Sequence, residues 1–175
     1  MRTLVEQLSN YAAYHRHPRN VLTHCVGIPM IVAAVAVLLS RPSVHLLGWA
    51  LTPALVVVVA ALVYYLVLDL GLGLLMALLM GLALWFGAWS AAQPTHIWLA
   101  IGQGGFIAGW TLQFVGHYIE GRKPAFVDDV MGLAIGPLFV LVEVLFWLGF
   151  RHKLRSEMAA RAAGGAPLFG AKNAR

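Results

Sequence analysis

The sequence has few charged residues for its length. Asp, Glu, Lys and Arg make up 11% of its 175 residues, and hydrophobic residues make up 61%, whereas an average soluble domain has about 25% charged residues. Among the twelve Lys and Arg residues, only Arg41 lies between residues 20 and 121. The scarcity of charge over this stretch excludes an ordinary soluble domain and predicts an integral membrane protein.

The cysteine count, the distribution of charge and the first apolar run each exclude another class of protein. The single cysteine, Cys25, excludes an internal disulfide framework and a zinc site built from cysteine alone, and we interpret it as a small buried apolar residue. The net charge of +5 does not predict nucleic-acid binding, because the basic residues flank the apolar runs and form no phosphate-binding stripe. A secretory signal is not expected either, because Glu6 and Gln7 interrupt the first apolar run.

Four to five apolar segments predict an all-α, polytopic membrane helical bundle. About 20 apolar residues suffice to cross the hydrocarbon, and the candidate segments are residues 20–40, 46–68, 70–92, 97–119 and 130–150. Before them, Leu4, Leu8 and Tyr11 fall on one helical side, which predicts a short N-terminal interfacial helix. Asp69 alone separates the second and third segments, so we expect these two to form a tight hairpin.

A complete fifth crossing would conflict with the distribution of basic residues. Basic loops mark the cytoplasmic side, and four crossings place the N-terminus and the loop at Arg122 and Lys123 on that side. A complete fifth crossing would place the basic residues after 150 outside, so we expect a broken or shallow helix at Gly136-Pro137. Residues 1–155 are predicted to form a single membrane domain, and residues 156–175, rich in Ala and Gly, a flexible tail.

Polar residues gather where the first segment begins. Pro18 favours the opening of a helix and disfavours helical angles at the residue before it. We therefore expect His15 and His17 on a loop, and Asn20 and His24 on one helix face.

A second polar group lies where the fourth segment ends. Gln113, His117 and Glu120 are spaced by four and three residues, which places them on one helix side. With four crossings both groups share the cytoplasmic side, where their nitrogen and oxygen donors would suit iron, zinc or manganese. Glu143, in the fifth segment, could complete such a site or make a hydrogen bond inside the bundle. The other histidines have no partner at helical spacing and are interpreted as interface residues: His17, His45, His96 and His152.

Taken together, these residues resemble a known family, the membrane 2-hydroxy fatty acid dioxygenases. The resemblance covers residues 11 to about 155 and depends on two blocks, Tyr14-His15, Pro18, Asn20-Val21-Leu22, His24 and Pro29, then Gly109-Trp110, Gln113 to His117, Glu120, Pro124-Ala125, Asp128, Pro137 and Glu143. It implies an Fe²⁺-dependent oxidoreductase of fatty acid α-oxidation, which converts a 2-hydroxy fatty acid and O₂ into a fatty acid shortened by the carboxyl carbon. The bias toward Ala, Leu and Gly favours a bacterial inner membrane, whereas eukaryotic relatives act in the endoplasmic reticulum.

The resemblance also implies roles for individual residues. It makes His15, His24 and His117 the iron ligands and Glu120 a further catalytic candidate. Further candidates, to orient these ligands or to bind the substrate, are Asn20, Gln113, Glu143, Arg19 and Lys123. The expected partners are the substrate, O₂ and membrane lipid, without nucleic acid, and the sequence does not define an oligomeric state. Two rival classes remain open, a lipid-binding or small transport protein without a metal, and a b-type haem membrane protein.

Overall fold

The computed structural model describes residues 2–46 and 49–164 and is almost entirely helical. The α-helices are α1 (Leu4–Ala12), α2 (Pro18–Ser40), α3 (Pro53–Leu68), α4 (Leu70–Ala91), α5 (Thr95–Glu120), α6 (Met131–Trp147) and α7 (His152–Ala163), with a 3₁₀ turn at Ala125–Val127. The strands β1 (Val44–Leu46) and β2 (Trp49–Leu51) pair antiparallel, with residue 45 opposite residue 50. The chain divides into two compact units, Met1–Cys25 with Gln113–Arg175, and Val26–Leu112.

The first unit contains the predicted interfacial helix, α1. Its start is fixed by a capping box, in which the Glu6 amide donates to Thr3 Oγ1 at 3.3 Å and the Thr3 amide donates to Glu6 Oε2 at 2.9 Å. Leu8 and Tyr11 are buried on one face, against α6 and α7. Arg2 also pairs with Asp129 at 2.6 Å. The prediction of a short helix with one apolar face is confirmed.

Helix α2 begins where the sequence predicts. Pro18 is its first residue, and the amide of Arg19 donates to His17 Nδ1 at 3.2 Å, so His17 caps the helix from the preceding loop. The helix continues through Pro29 to Ser40.

The second unit contains the predicted hairpin, α3 and α4. Asp69 ends α3 and caps α4 by accepting a hydrogen bond from the Leu72 amide at 2.8 Å. A Cβ atom at Gly73 would lie 2.7 Å from the Leu66 Cα atom, so only glycine lets the two helices approach this closely. The α3–α4 helical hairpin is confirmed. Helix α3 begins later than predicted, at Pro53, because Thr52 caps it and the β1–β2 strand pair occupies the start of the predicted segment.

The number of membrane spans is smaller than predicted. Within the described ranges, α2 and α4 are long and apolar enough to cross a membrane, and a third span results if the bent pair α6 and α7 is counted as one. Helix α3 has only 16 residues, and α5 contains five glycines and several polar residues. Exposed apolar side chains cover α3 and α4, for example Val56, Val63, Leu70, Leu78 and Trp85. Such a surface suits contact with lipid, and the protein is a membrane protein.

The fifth segment bends at a different place from the one expected. Helix α6 is continuous through Gly136 and Pro137, and the 113° bend lies between α6 and α7. There Gly149 and Arg151 have positive φ angles of 81° and 58°, a conformation that glycine adopts without steric cost. Residues 152–163 form α7, so the first part of the expected tail is helical, whereas residues 165–175 lie outside the described residues.

Candidate metal centre

Three histidines from three separate segments meet inside the first unit. His15 lies on the loop after α1, His24 lies near the start of α2, and His117 lies in the last turn of α5. Their exposed fractions are 4%, 1% and 7%. Each offers a ring nitrogen within 4.8 Å of the other two, so the cluster could hold one metal ion.

The hydrogen bonds of two of these rings assign their tautomers. His15 Nδ1 lies 2.7 Å from the carbonyl oxygen of Tyr11, and His24 Nδ1 lies 2.9 Å from the carbonyl oxygen of Asn20. A carbonyl oxygen can only accept, so each Nδ1 must carry a proton, and in a neutral ring the Nε2 atom then presents a lone pair. Burial lowers the pKa of His15 to about 4, so this ring is neutral at pH 7.

The two Nε2 atoms of His15 and His24 lie 3.1 Å apart. Two lone pairs at this distance repel each other unless a cation lies between them. With metal–nitrogen bonds of about 2.1 Å, two ligands at a right angle would be separated by about 3 Å. The observed distance therefore fits two neighbouring ligands of one metal ion.

Buried polar atoms without a partner lie on the helices that carry this cluster. In the part of the chain that the structure describes, they include His117 Nδ1, Gln113 Nε2 and Asn20 Oδ1. Leaving a buried polar atom unpaired costs about 1–3 kcal/mol. A metal ion and a polar ligand would satisfy such atoms, so the residues present fit a metal centre.

Aromatic packing closes one side of the cluster. The ring of Tyr11 stacks on His15, with centroids 4.2 Å apart and an interplanar angle of 11°, and Phe139 of α6 lies 4.9 Å from the Tyr11 ring. These apolar contacts limit the access of water to His15 and restrict the rotation of its imidazole ring.

A glycine permits the close approach of the helices that carry His24 and His117. A Cβ atom at Gly116 would collide with Thr23 Oγ1 and Asn20 Oδ1 and would lie 3.3 Å from His24 Nδ1. Gly116 therefore allows α5 to approach α2 closely enough for His117 and His24 to share a metal ion.

Sequence comparison assigns this chain to a family. Residues 1–148 match the family described as 2-hydroxy-palmitic acid dioxygenase Mpo1-like. The chain belongs to the Mpo1-like family. It is 34% identical over 160 residues to the 2-hydroxy-palmitic acid dioxygenase MPO1 of Saccharomyces cerevisiae. The aligned region covers 89% of this chain and 87% of the yeast protein. No solved structure matches the chain. The family resemblance found in the sequence is confirmed.

Glu120 of this Mpo1-like protein lies next to the cluster but does not belong to it. Both carboxylate oxygens accept from the Arg16 amide at 3.1 Å, and Oε2 also accepts from the His17 amide at 2.7 Å and from Asn20 Nδ2 at 3.1 Å. These bonds direct the carboxylate toward the loop between α1 and α2.

The remaining candidates differ in their burial and in their hydrogen-bond partners. Asn20 and Gln113 are buried, each one helical turn before a histidine of the cluster. The Asn20 carbonyl, not its side chain, makes the hydrogen bond with His24. Lys123 lies 2.6 Å from Asp128 Oδ1, and Arg19 is exposed. Glu143 is half-buried in the middle of α6.

Several contributors to the site were missed from the sequence. Tyr11 precedes His15 by four residues, the same spacing as from Asn20 to His24, and this repeat could have revealed both carbonyl acceptors. Phe139 had no such signal, because its contacts depend on how the helices pack. Gly116 lies within the Gln113 to His117 block of the resemblance, but its close approach to Thr23 and Asn20 was not predicted.

Proposed function

We propose that the protein is an Fe²⁺-dependent dioxygenase that converts a 2-hydroxy fatty acid and O₂ into a fatty acid one carbon shorter. The observation that carries this proposal is the buried set of three imidazoles in a chain of the Mpo1-like family. A ferrous ion in such a site would supply open coordination positions and a redox couple that passes electrons from the substrate to O₂.

The protein's own residues would hold the ion and orient the substrate. His15 and His24 would coordinate through Nε2, with their rings held by the backbone carbonyls described above. Gln113 Nε2, a buried donor without a partner, is suited to one oxygen of the substrate carboxylate. Tyr11 and Phe139 would keep water from one side of the reacting groups.

The proposed reaction balances without an added reductant. Conversion of R–CHOH–COOH and O₂ into R–COOH, CO₂ and H₂O uses all four electrons that O₂ accepts, two from oxidation of the hydroxyl-bearing carbon to a carbonyl and two from its further oxidation with loss of the carboxyl carbon. An assay therefore needs only protein, Fe²⁺, substrate and O₂.

The location proposed for the site is the cytoplasmic face of a bacterial inner membrane. Arg16, Arg19 and Arg122 lie near the ends of α2 and α5 that carry the histidines, and basic residues favour the cytoplasmic side. The exposed apolar surface of the protein would give a fatty acid access from the lipid phase.

Haem held between His15 and His24 is less well supported. Their Nε2 atoms lie only 3.1 Å apart, which is less than two metal–nitrogen bonds of about 2.1 Å each laid end to end. This distance argues against these two residues as a pair of haem ligands.

The test is turnover of a labelled substrate by the full-length protein in detergent. The protein is loaded with Fe²⁺ under anaerobic conditions and mixed with O₂ and 2-hydroxypalmitate that carries ¹³C in its carboxyl group. We expect an unlabelled fatty acid with one carbon fewer and release of ¹³CO₂. Retention of the label in the product, or absence of product from iron-loaded protein, would refute the proposed function.

A further inference from the structure

Glu120 contacts both of the other chain segments that supply histidines to the cluster. It stands one helical turn after His117 on α5. Its carboxylate accepts from the backbone amides of Arg16 and His17, directly after His15, and from the side chain of Asn20.

The bond to Asn20 continues to the second ligand. Asn20 donates through Nδ2 to Glu120 Oε2 at 3.1 Å, and its backbone carbonyl accepts from His24 Nδ1 at 2.9 Å. The same residue therefore links the carboxylate to the orientation of His24. One side chain on α5 thus fixes the loop that carries His15 and the turn of α2 that carries His24.

The chemistry of the loop explains why a carboxylate occupies this position. The amides of Arg16 and His17 lie in the loop before α2, so no carbonyl of that helix accepts from them and they need another acceptor. An ionised carboxylate offers several lone pairs and makes charge-assisted hydrogen bonds that are shorter and stronger than neutral ones. A neutral glutamine would keep one acceptor oxygen but would present an NH₂ group where a second acceptor is needed.

We propose that Glu120 is a positioning residue that holds the His15 loop and the start of α2 against α5, so that the three imidazoles form one metal site. It acts through hydrogen bonds to the chain and does not coordinate the metal. This role rests on the proposed metal site. It adds that the carboxylate beside the cluster holds the three histidines in place before the metal binds.

The first measurement is amide hydrogen exchange in the metal-free, full-length protein in detergent. Replacing Glu120 by Gln should speed the exchange of the Arg16 and His17 amides about tenfold, because their acceptor loses its charge. Glu157→Gln is the matched control, since this carboxylate on α7 is half-exposed and lies 4.0 Å from Lys153. Unchanged exchange at both amides in Glu120→Gln would overturn the inference, whether or not the protein is an enzyme.

The second measurement is Co²⁺ binding, followed by the visible absorption of the bound ion. In Glu120→Gln we expect the Kd to rise about 10- to 100-fold, the range found when groups that orient metal ligands are removed. The spectrum at saturation should match the wild type, because the ligands are unchanged. Glu120→Asp, which keeps the charge, should recover part of the lost affinity, and Glu157→Gln should bind like the wild type.

Two results would contradict the positioning role. A saturated Co²⁺ spectrum that changes in Glu120→Gln would show that the carboxylate is itself a ligand, and an unchanged Kd would show that it does not support the site. If the wild type binds Co²⁺ with the predicted differences among variants but forms no shortened fatty acid with Fe²⁺, the proposed function fails while the positioning role stands.

Discussion

At the scale of single residues, Gly116 permits the close approach of the helices that carry His24 and His117. Alanine normally stabilises a helix by about 0.5–1 kcal/mol relative to glycine. At this position the added methyl group would collide with Thr23 and Asn20, and overpacking of this kind costs about 1–3 kcal/mol. We therefore expect Gly116→Ala to lower both the melting temperature and the affinity for Fe²⁺.

The control for this substitution lies on the same helix. A Cβ atom at Gly104 would have no heavy atom within 4 Å. Gly104→Ala should keep wild-type iron affinity and a melting temperature equal to or above that of the wild type. Equal behaviour of the two variants in calorimetry and iron titration would show that the close approach at Gly116 is not needed.

His15 should make the stability of the metal-free protein depend on pH. Burial lowers its pKa to about 4 in the folded protein, whereas an unfolded histidine titrates near pH 6.5. Between these values the unfolded chain binds more protons, so the free energy of unfolding should fall as the pH is lowered from about 6.5 to about 4. The contribution is fully present above pH 6.5.

Thermal melts across this pH range test the assignment. His15→Gln removes the titrating group, so its melting temperature should fall less on acidification than that of the wild type. Parallel melting curves for the two proteins would mean that His15 does not contribute to the pH dependence.

The ligand candidates could be predicted from the sequence, but their surroundings could not. Spacing and the family resemblance pointed to His15, His24 and His117, and the structure brings these three together. The contacts of Glu120 with Arg16 and His17 join positions about 100 residues apart, which no local spacing encodes.

At the scale of secondary structure, Asp69 tests the interpretation of the α3–α4 hairpin. Its side chain caps α4 through the Leu72 amide, and loss of such a cap costs about 1 kcal/mol. We expect Asp69→Ala to lower the free energy of unfolding by about this amount, and Asp69→Asn to retain most of it because asparagine also caps helices.

Turnover separates a cap from a proton relay at this position. Both variants should convert substrate at rates within about twofold of the wild type, because only the hairpin is affected. A large loss of turnover in Asp69→Asn, with stability retained, would assign Asp69 a chemical role instead.

The element boundaries were predictable where one residue type fixes them locally. Thr3 with Glu6 signals the start of α1, and Pro18 signals the start of α2. The bend after α6 was placed at Gly136-Pro137 but occurs at residues 148–151, because α6 accommodates the proline and the chain turns at Gly149. The β1–β2 hairpin was missed because its residues read as the start of an apolar segment.

At the scale of the whole molecule, a single metal site requires the N-terminus and the loop after α5 to face the same side of the membrane. Cysteines introduced at Thr3 and at Lys123, each in a Cys25→Ala background, should react with a membrane-impermeant thiol reagent from the same side. Inverted and right-side-out vesicles provide the comparison. Labelling of the two positions from opposite sides would contradict a single site at this membrane face.

Composition predicted the class of the molecule better than its number of spans. The scarcity of charge identified a membrane protein, but apolar length alone overcounted the crossings. The β1–β2 strand pair occupies residues that were assigned to the second span, so helix α3 is shorter than predicted. Helix α5 combines apolar side chains with glycines and with the polar residues of the site.

The iron content of histidine variants decides whether His15, His24 and His117 hold one metal ion. Full-length protein is reconstituted with Fe²⁺ under anaerobic conditions, desalted and analysed for bound iron by mass spectrometry, with thermal melts to confirm folding. We expect about one iron per wild-type chain, and about a tenth of that or less in His15→Ala, His24→Ala and His117→Ala, because each loses one of three ligands. His152→Ala, at the exposed start of α7, should retain wild-type iron. Wild-type iron content in any folded variant of the three clustered histidines would contradict the account.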